Sequence, residues 1–366
     1  MIVVFAPDSF KGTIGAADAA AALAEGWRRA RPDDDIVLLP MADGGEGTLA
    51  SFAAAVPGAE RIAVRVIGPD DVEVDSAWLR LPSTPDAPSG TAIVELGATS
   101  GIELLDELRP LTAHTYGLGQ AITAALAAGV SRVVVGLGSS ASTDGGTGML
   151  RALGARFLDA NGTEVPLGGA GLADVARVDL SALAPLPPGG VEALTDVTNP
   201  LLGRLGAAAV FGPQKGAGPS QVAELDSALA NLAALLAADP STPGAGAAGG
   251  TGFGLLAWGA TLEPGAGAVA RLIGLPGAAA AASVVVTGEG SFDGQSAAGK
   301  VPSHVASLAG DARVALVAGR ITPDAVTTAF AASVSLTDLA GSAERAMAEP
   351  ARWLRDAGER FARELG

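Results

Sequence analysis

Six carboxylates in this chain close or follow apolar runs, each beside Gly, Ser, Thr or Pro: Asp8, Asp43, Asp144, Asp196, Glu289 and Asp293. Carboxylates so placed can hold Mg²⁺ or accept a hydroxyl proton during phosphoryl transfer. An Asp before Gly also caps helices and starts turns with no further duty. Two of these acids open matching loops, Asp43-Gly44-Gly45-Glu46-Gly47 and Asp144-Gly145-Gly146-Thr147-Gly148. The second loop has a valine-rich strand before it, then Gly136, Gly138 and the hydroxyls Ser139, Ser140, Ser142 and Thr143, and a helix-like run at 149–153 after it. Strand, Gly-rich loop and helix aim backbone N–H groups and a positive dipole end at an anion.

The lysines point the same way. All three, Lys11, Lys215 and Lys300, stand next to a glycine, while the other 20 basic residues are arginines. A chain that uses arginine for its general solvated charge keeps lysine where a compact ammonium on a flexible stem is wanted, as at a phosphate. Chance adjacency in a Gly-rich chain is the alternative, but six acids together with three such lysines favour a site.

Two other motifs compete. Gly136-Leu137-Gly138-Ser139-Ser140-Ala141 fits a dinucleotide fingerprint, with Asp159 about 20 residues further on, but the Ser/Thr/Asp cluster that follows is foreign to that fingerprint. Residues 294–300 read G-x-x-x-x-G-K and then Val301, so the hydroxyl that holds magnesium in a P-loop is missing. Because Glu289, Ser291 and Asp293 precede it where a strand should run straight in, it reads as a phosphate or substrate loop of another kind. His114 and His304 read as packing or surface residues.

Composition narrows the field. The chain has 366 residues, 49% of them hydrophobic and 17% charged, a composition that excludes disorder and favours two domains. A balance of 23 basic against 39 acidic residues, net −16, with no basic block, disfavours nucleic acid. The absence of cysteine removes disulfides, thiol nucleophiles and Cys-ligated zinc. The N-terminus lacks the basic n-region of a signal peptide and no apolar run is long enough to span a bilayer, so a soluble cytoplasmic enzyme is expected, with no membrane partner.

The elements that must position these groups read as α/β. A buried strand at 2–6, a helix at about 16–30 stopped by Pro32 and a strand at 36–39 make a β-α-β unit whose polar loops follow the strands, so Asp8, Lys11 and Asp43 should share one rim. Alternation over 61–80 around Gly68-Pro69-Asp70-Asp71 marks a hairpin. Strands follow at 92–96 and near Val133, and helices at 115–128 and 220–238. The Ala/Gly run at 243–254 reads as a mobile loop. A strand at 284–286 runs into a loop that starts at Thr287. A strand at 314–317 and a terminal amphipathic helix, with Met347, Leu354, Phe361 and Leu365 on one face, close the chain.

Taken in order, Ala6-Pro7-Asp8-Ser9-Phe10-Lys11-Gly12, Pro40-Met41-Ala42-Asp43-Gly44-Gly45-Glu46-Gly47-Thr48, Thr115-Tyr116-Gly117, the 136–149 loop, Asp196-Val197-Thr198-Asn199-Pro200, Phe211-Gly212-Pro213-Gln214-Lys215-Gly216 and Thr287-Gly288-Glu289-Gly290 resemble the type I glycerate kinase family over nearly the whole chain. Ser139, Ser142 and Thr143 depart from it, standing where the family tends to have Gly, Thr and Asn, and His114 replaces a small hydroxyl residue.

The resemblance implies an α/β fold of two domains. One is a Rossmann- or flavodoxin-like parallel sheet with helices on both faces, from residues 1–68 plus 283–366. The other is a mixed α/β domain inserted at 69–282, with the active-site cleft between them. It implies ATP-dependent phosphorylation of D-glycerate, mostly to 2-phosphoglycerate, with 3-phosphoglycerate as the alternative product. The partners are ATP, Mg²⁺ and D-glycerate, and a homodimer is allowed. Within that frame Lys11 and Lys300 neutralise phosphate charge and Asp43 orients or deprotonates the substrate hydroxyl. Asp196, Glu289 and Asp293 are the candidate metal ligands, with Asp196 also counted as catalytic. Gly138, Ser139, Ser140, Asp144, Gly145, Lys215, Gly288, Gly290 and Ser291 are the candidate nucleotide contacts. The arginine or helix terminus that takes the glycerate carboxylate is left open. A nicotinamide oxidoreductase and a non-catalytic sugar-acid binding protein are the rival readings.

Overall fold

The computed structural model describes residues 1–294 and 300–366. They form two compact units. Unit 1 is Met1–Asp43, Ala50–Pro57 and Gly265–Gly366, and unit 2 is Gly44–Leu49 and Gly58–Pro264. The strands are β1 (Ile2–Pro7), β2 (Asp35–Leu38), β3 (Glu60–Ile67), β4 (Glu73–Leu81), β5 (Thr91–Glu95), β6 (Arg132–Gly136), β7 (Arg156–Leu158), β8 (Arg177–Asp179), β9 (Val191–Leu194), β10 (Thr261–Glu263), β11 (Val284–Phe292), β12 (Arg313–Ile321) and β13 (Ala332–Ser335).

In unit 1 the sheet order is β13-β12-β11-β1-β2, with every pair parallel. Counted within the unit this is 2-1-3-4-5, the flavodoxin-like doubly wound order, whose switch point falls between its first and third strands, here β1 and β11. Val3, Phe5, Val284, Val286, Ala315 and Val317 bury one face against Leu23 and Trp27 of the helix Ala16–Ala30 and Leu354 and Phe361 of the helix Pro350–Leu365. Phe292, Leu316 and Ala318 form a separate buried cluster. A parallel sheet buried on both faces explains why its strands read as continuous apolar runs.

Two expectations fail in this unit. β11 does not stop at Val286 but runs to Phe292, because Glu289 pairs with Ala318, Ser291 with Arg320 and Phe292 with Ile321 on β12. Gly288, Glu289, Gly290 and Ser291 are therefore strand residues. Met347 does not share the buried face of the last helix: it lies in the short helix Ala343–Ala348, is 59% exposed, and Pro350 begins a new helix after it.

In unit 2 the order is β10-β9-β6-β5-β4-β3, parallel from β10 to β5 and antiparallel for β5-β4-β3. The hairpin expected at 61–80 is β3-β4, turning through Asp71 at φ 70°. Helices Tyr116–Ala127 and Pro219–Leu235 lie close to the positions expected for them. The run at 243–254 is not a mobile loop. Ala247–Trp258 is helical across a kink, with left-handed φ at Ala248, Gly249 and Gly250, and Gly249 to Leu255 are buried. The reason is close approach: a Cβ on Gly249 would lie 1.9 Å from the Ser142 carbonyl oxygen, so lack of side chains serves packing here and not mobility.

Candidate active site

Unit 1 gathers its polar groups at the switch point. Asp8 follows β1 directly, and its amide donates to the Gly288 carbonyl of β11 at 2.8 Å while its Oδ1 accepts from the Ser9 amide at 2.7 Å. Burial first, and then the negative charge of Asp43, push the Asp8 carboxyl up to about 7, against the opposing pull of the Ser9 amide and Lys11; Glu289 adds a smaller upward push. Asp43 Oδ2 in turn lies 3.8 Å from the ammonium of Lys11, which is 79% exposed. Asp8, Lys11 and Asp43 thus share one rim, as the β-α-β reading expects, with Glu289 buried beside them on β11.

The remaining unit 1 candidates divide by role. A Cβ on Gly288 would sit 2.2 Å from the Val317 carbonyl oxygen, and one on Gly290 would sit 3.3 Å from the Lys11 amide nitrogen. These glycines let β12 and the Lys11 loop approach β11. Ser291 Oγ accepts from Arg320 Nε at 2.9 Å, which puts an arginine at the end of this sheet that sequence reading did not single out. Lys300 precedes the helix Val301–Leu308 and stands 3.6 Å from Asp293 Oδ1. The other residues of the 294–300 motif, 295–299, lie outside the described residues.

Unit 2 holds a cavity of about 390 Å³ beside the 136–149 loop. Gly138, Ser139, Ser140 and Lys215 line it; Asp144 and Gly145 do not. Asp144 is fully buried and turned onto its own loop. Its Oδ2 accepts from the Thr115 amide at 2.9 Å, Thr115 Oγ1 at 2.8 Å and the Gly148 amide at 3.1 Å, and Oδ1 accepts from the Gly146 amide at 3.2 Å. It shapes the loop from behind. Gly145 packs on the core, where a Cβ would fall 2.5 Å from Leu232. Lys215 is 2% exposed and its ammonium donates to the Ser142 carbonyl oxygen. Burial pulls its pKa down from 10.5 to about 8, partly opposed by the charge of Asp144. The three lysines are therefore divided, Lys11 and Lys300 in unit 1 and Lys215 in unit 2.

Asp196 is an exposed residue two positions beyond β9, in unit 2, whereas Glu289 and Asp293 belong to unit 1. Among the described residues no group of three or more His, Cys, Asp or Glu side chains is arranged to hold a metal. One anchoring carboxylate escaped the sequence reading: Glu95, whose buried oxygens accept from the Gly47 amide at 3.1 Å and the Leu49 amide at 2.9 Å. Its signal was an acid inside the otherwise apolar run 92–96.

The acid- and lysine-bearing loops of unit 1 thus lie at the carboxyl ends of its strands, where doubly wound sheets bind their ligands. A profile of the glycerate kinase family matches residues 3–366. The glycerate 2-kinase of Escherichia coli strain K12 is 42% identical over 318 residues, covering 84% of this chain and 82% of that protein. The glycerate kinase of Halalkalibacterium halodurans is 40% identical over 327 residues, covering 86% of this chain and 84% of that protein. A crystal structure from Salmonella typhimurium LT2, described as a candidate glycerate kinase 2, superposes with a TM-score of 0.84 at 36% identity, covering 100% of this chain and 98% of that one. The chain belongs to the glycerate kinase family, and it is a kinase. None of its described helices is long and apolar enough to cross a membrane.

Proposed function

We propose that this chain transfers the γ-phosphoryl group of ATP to the 2-hydroxyl of D-glycerate, giving ADP and 2-phosphoglycerate in the cytoplasm. The observation that carries the reading is the 42% identity, over 84% of the chain, with the glycerate 2-kinase of Escherichia coli.

Phosphoryl transfer asks a protein mainly for positioning and for charge placed where charge develops. Asp8 takes the hydroxyl proton. A carboxyl raised to about 7 is a stronger base than an ordinary carboxylate and is still half ionised at neutral pH. Asp43, paired with Lys11, orients the hydroxyl and holds Asp8 in that range. Lys11 and Lys300 offset phosphate charge, and Arg320, whose Nε donates to Ser291 Oγ, receives the glycerate carboxylate.

The family reading calls for Mg²⁺. The acid-rich end of β11 fits it, since Glu289 and Asp293 lie on and just after that strand and Mg²⁺ is commonly held by one or two carboxylates completed by substrate phosphates and water, not by an all-protein cage. Glu289 and Asp293 would hold the ion. When bound it neutralises charge on the phosphate oxygens.

The direct test is ADP release, coupled to a dehydrogenase, with D-glycerate present and absent. Glycerate-dependent release supports the reading. Glycerate binding that leaves ATP intact would favour a binding protein, and saturable NAD(H) fluorescence would favour the oxidoreductase.

A further inference from the structure

Within unit 1 the parallel ladder between β1 and the chain at 35–41 breaks off just where the two catalytic acids begin. Asp35, Leu39 and Met41 donate their amides to the Met1, Phe5 and Pro7 carbonyls at 2.9, 2.8 and 2.9 Å. In such a ladder a residue that donates to one carbonyl across from it accepts from the amide two residues further on. Leu39 should therefore accept from residue 7 and Met41 from residue 9. Pro7 has no N–H to give. The Ser9 amide has one, but it is turned onto the neighbouring side chain and donates to Asp8 Oδ1 at 2.7 Å. The Met41 carbonyl, in a residue with no exposed surface, thus loses its ladder donor two residues ahead of Asp43.

Ser51 supplies the replacement. It lies in the helix Thr48–Ala55, is 2% exposed, and its Oγ donates to the Met41 carbonyl at 2.9 Å. A serine inside a helix that bonds to backbone ordinarily returns to the carbonyl one turn before it. Ser51 instead leaves its helix for a carbonyl far back along the chain. A buried carbonyl without a donor is costly, so in the absence of this hydroxyl the Ser9 amide is drawn back to the ladder. Two acceptors, the Met41 carbonyl and the Asp8 carboxylate, compete for one N–H group, and Ser51 decides between them.

We infer that Ser51 is a positioning residue for phosphoryl transfer: by satisfying the Met41 carbonyl it releases the Ser9 amide to hold Asp8 Oδ1, which leaves Oδ2 to take the hydroxyl proton. The base role of Asp8 rests on the kinase reading, whereas the competition for the Ser9 amide does not.

Backbone ¹H–¹⁵N NMR of the metal-free protein at pH 8 reads the Ser9 amide directly. An amide that donates to a carboxylate at 2.7 Å should resonate downfield, and Asp8→Asn should move it upfield. Ser51→Ala should move it the same way and lower kcat about tenfold or more, the scale of a small misplacement of a reacting group, with KM for ATP and D-glycerate unchanged. Ser51→Thr keeps the hydroxyl and should keep both the Ser9 signal and kcat. If Ser51→Ala does not fold, Ser51→Cys, a weaker donor of similar size, should give an intermediate shift and an intermediate kcat. A Ser9 signal that ignores Ser51→Ala or Ser51→Cys overturns the assignment, as does native kcat in either variant. The ADP-release assay separates the two failures. Turnover with a Ser9 amide indifferent to Ser51 sinks the positioning role alone, whereas a Ser9 amide that follows Asp8 and Ser51 without glycerate-dependent turnover sinks the kinase reading and keeps the competition.

Discussion

Thr115 holds Asp144 with two atoms at once: its amide nitrogen lies 2.9 Å and its hydroxyl 2.8 Å from the same carboxylate oxygen. The Gly146 and Gly148 amides complete the set, so an acid that reads as a ligand contact is the internal brace of the loop. Asp144→Asn turns an NH₂ group toward donors. It should cost about 3 kcal/mol of stability in urea unfolding, the scale of leaving buried partners unmatched. It should also drop the Lys215 pKa below 8, because the Asp144 charge is what opposes burial there. Unchanged stability would mean that the loop does not depend on the brace.

Asp8 should show a conflict between activity and stability. Its carboxyl binds protons more tightly in the native state, with a pKa of about 7, than in the unfolded chain at its ordinary 3.8. Between these values the native state holds the extra proton, so stability falls as pH rises through the interval and the full cost is present above pH 7. Asp8→Asn removes that cost. In metal-free protein at pH 8 it should raise unfolding stability by on the order of 2 kcal/mol, while kcat falls by about 10²- to 10⁴-fold. Loss of activity together with loss of stability would instead make Asp8 a structural residue.

Lys215 gives the opposite pH window. Its native pKa of about 8 lies below the ordinary 10.5, so between these values the unfolded chain binds the extra proton and stability rises with pH. The gain across that window should be on the order of 3 kcal/mol in the native protein and absent in Lys215→Met, read from urea midpoints. A flat profile in the native protein would place the lysine in solvent.

Neighbouring residues of the cavity loop should respond in opposite directions. A Cβ on Gly138 would come 2.4 Å from Gly45 Cα and 3.2 Å from the Glu46 nitrogen, backbone that cannot swing aside, so Gly138→Ala should destabilise by roughly 3 kcal/mol or more. Ser139 has φ 54°, a conformation glycine adopts freely, so Ser139→Gly should be neutral or stabilise by up to about 1 kcal/mol. Thermal melts of the two variants check both signs.

What could be read from sequence was what local pattern determines. The β1-helix-β2 unit, the β3-β4 hairpin and the strand-loop-helix at 132–152 follow from periodicity and turn residues, and the rim shared by Asp8, Lys11 and Asp43 follows from loops at strand ends. What escaped depends on residues far away in the chain. Gly288 to Ser291 looked like a loop because their strand character comes from pairing with β12. The 243–254 run looked loose because glycines chosen for close approach to the Ser142 backbone have the same letters as glycines in a linker. Asp144 and Glu95 are both buried acids serving backbone amides, and neither the donors of Thr115 nor those at 47–49 are visible in a carboxylate's own neighbours.

Phosphorylation of the 2-hydroxyl of D-glycerate by ATP is tested most directly by proton-coupled ³¹P NMR of the reaction mixture. The predicted result is a glycerate-dependent phosphoester signal split into a doublet by the single C2 proton, growing as ADP appears. A signal split by two protons, as the 3-phosphate requires, or no new phosphoester signal while ATP persists, would contradict it.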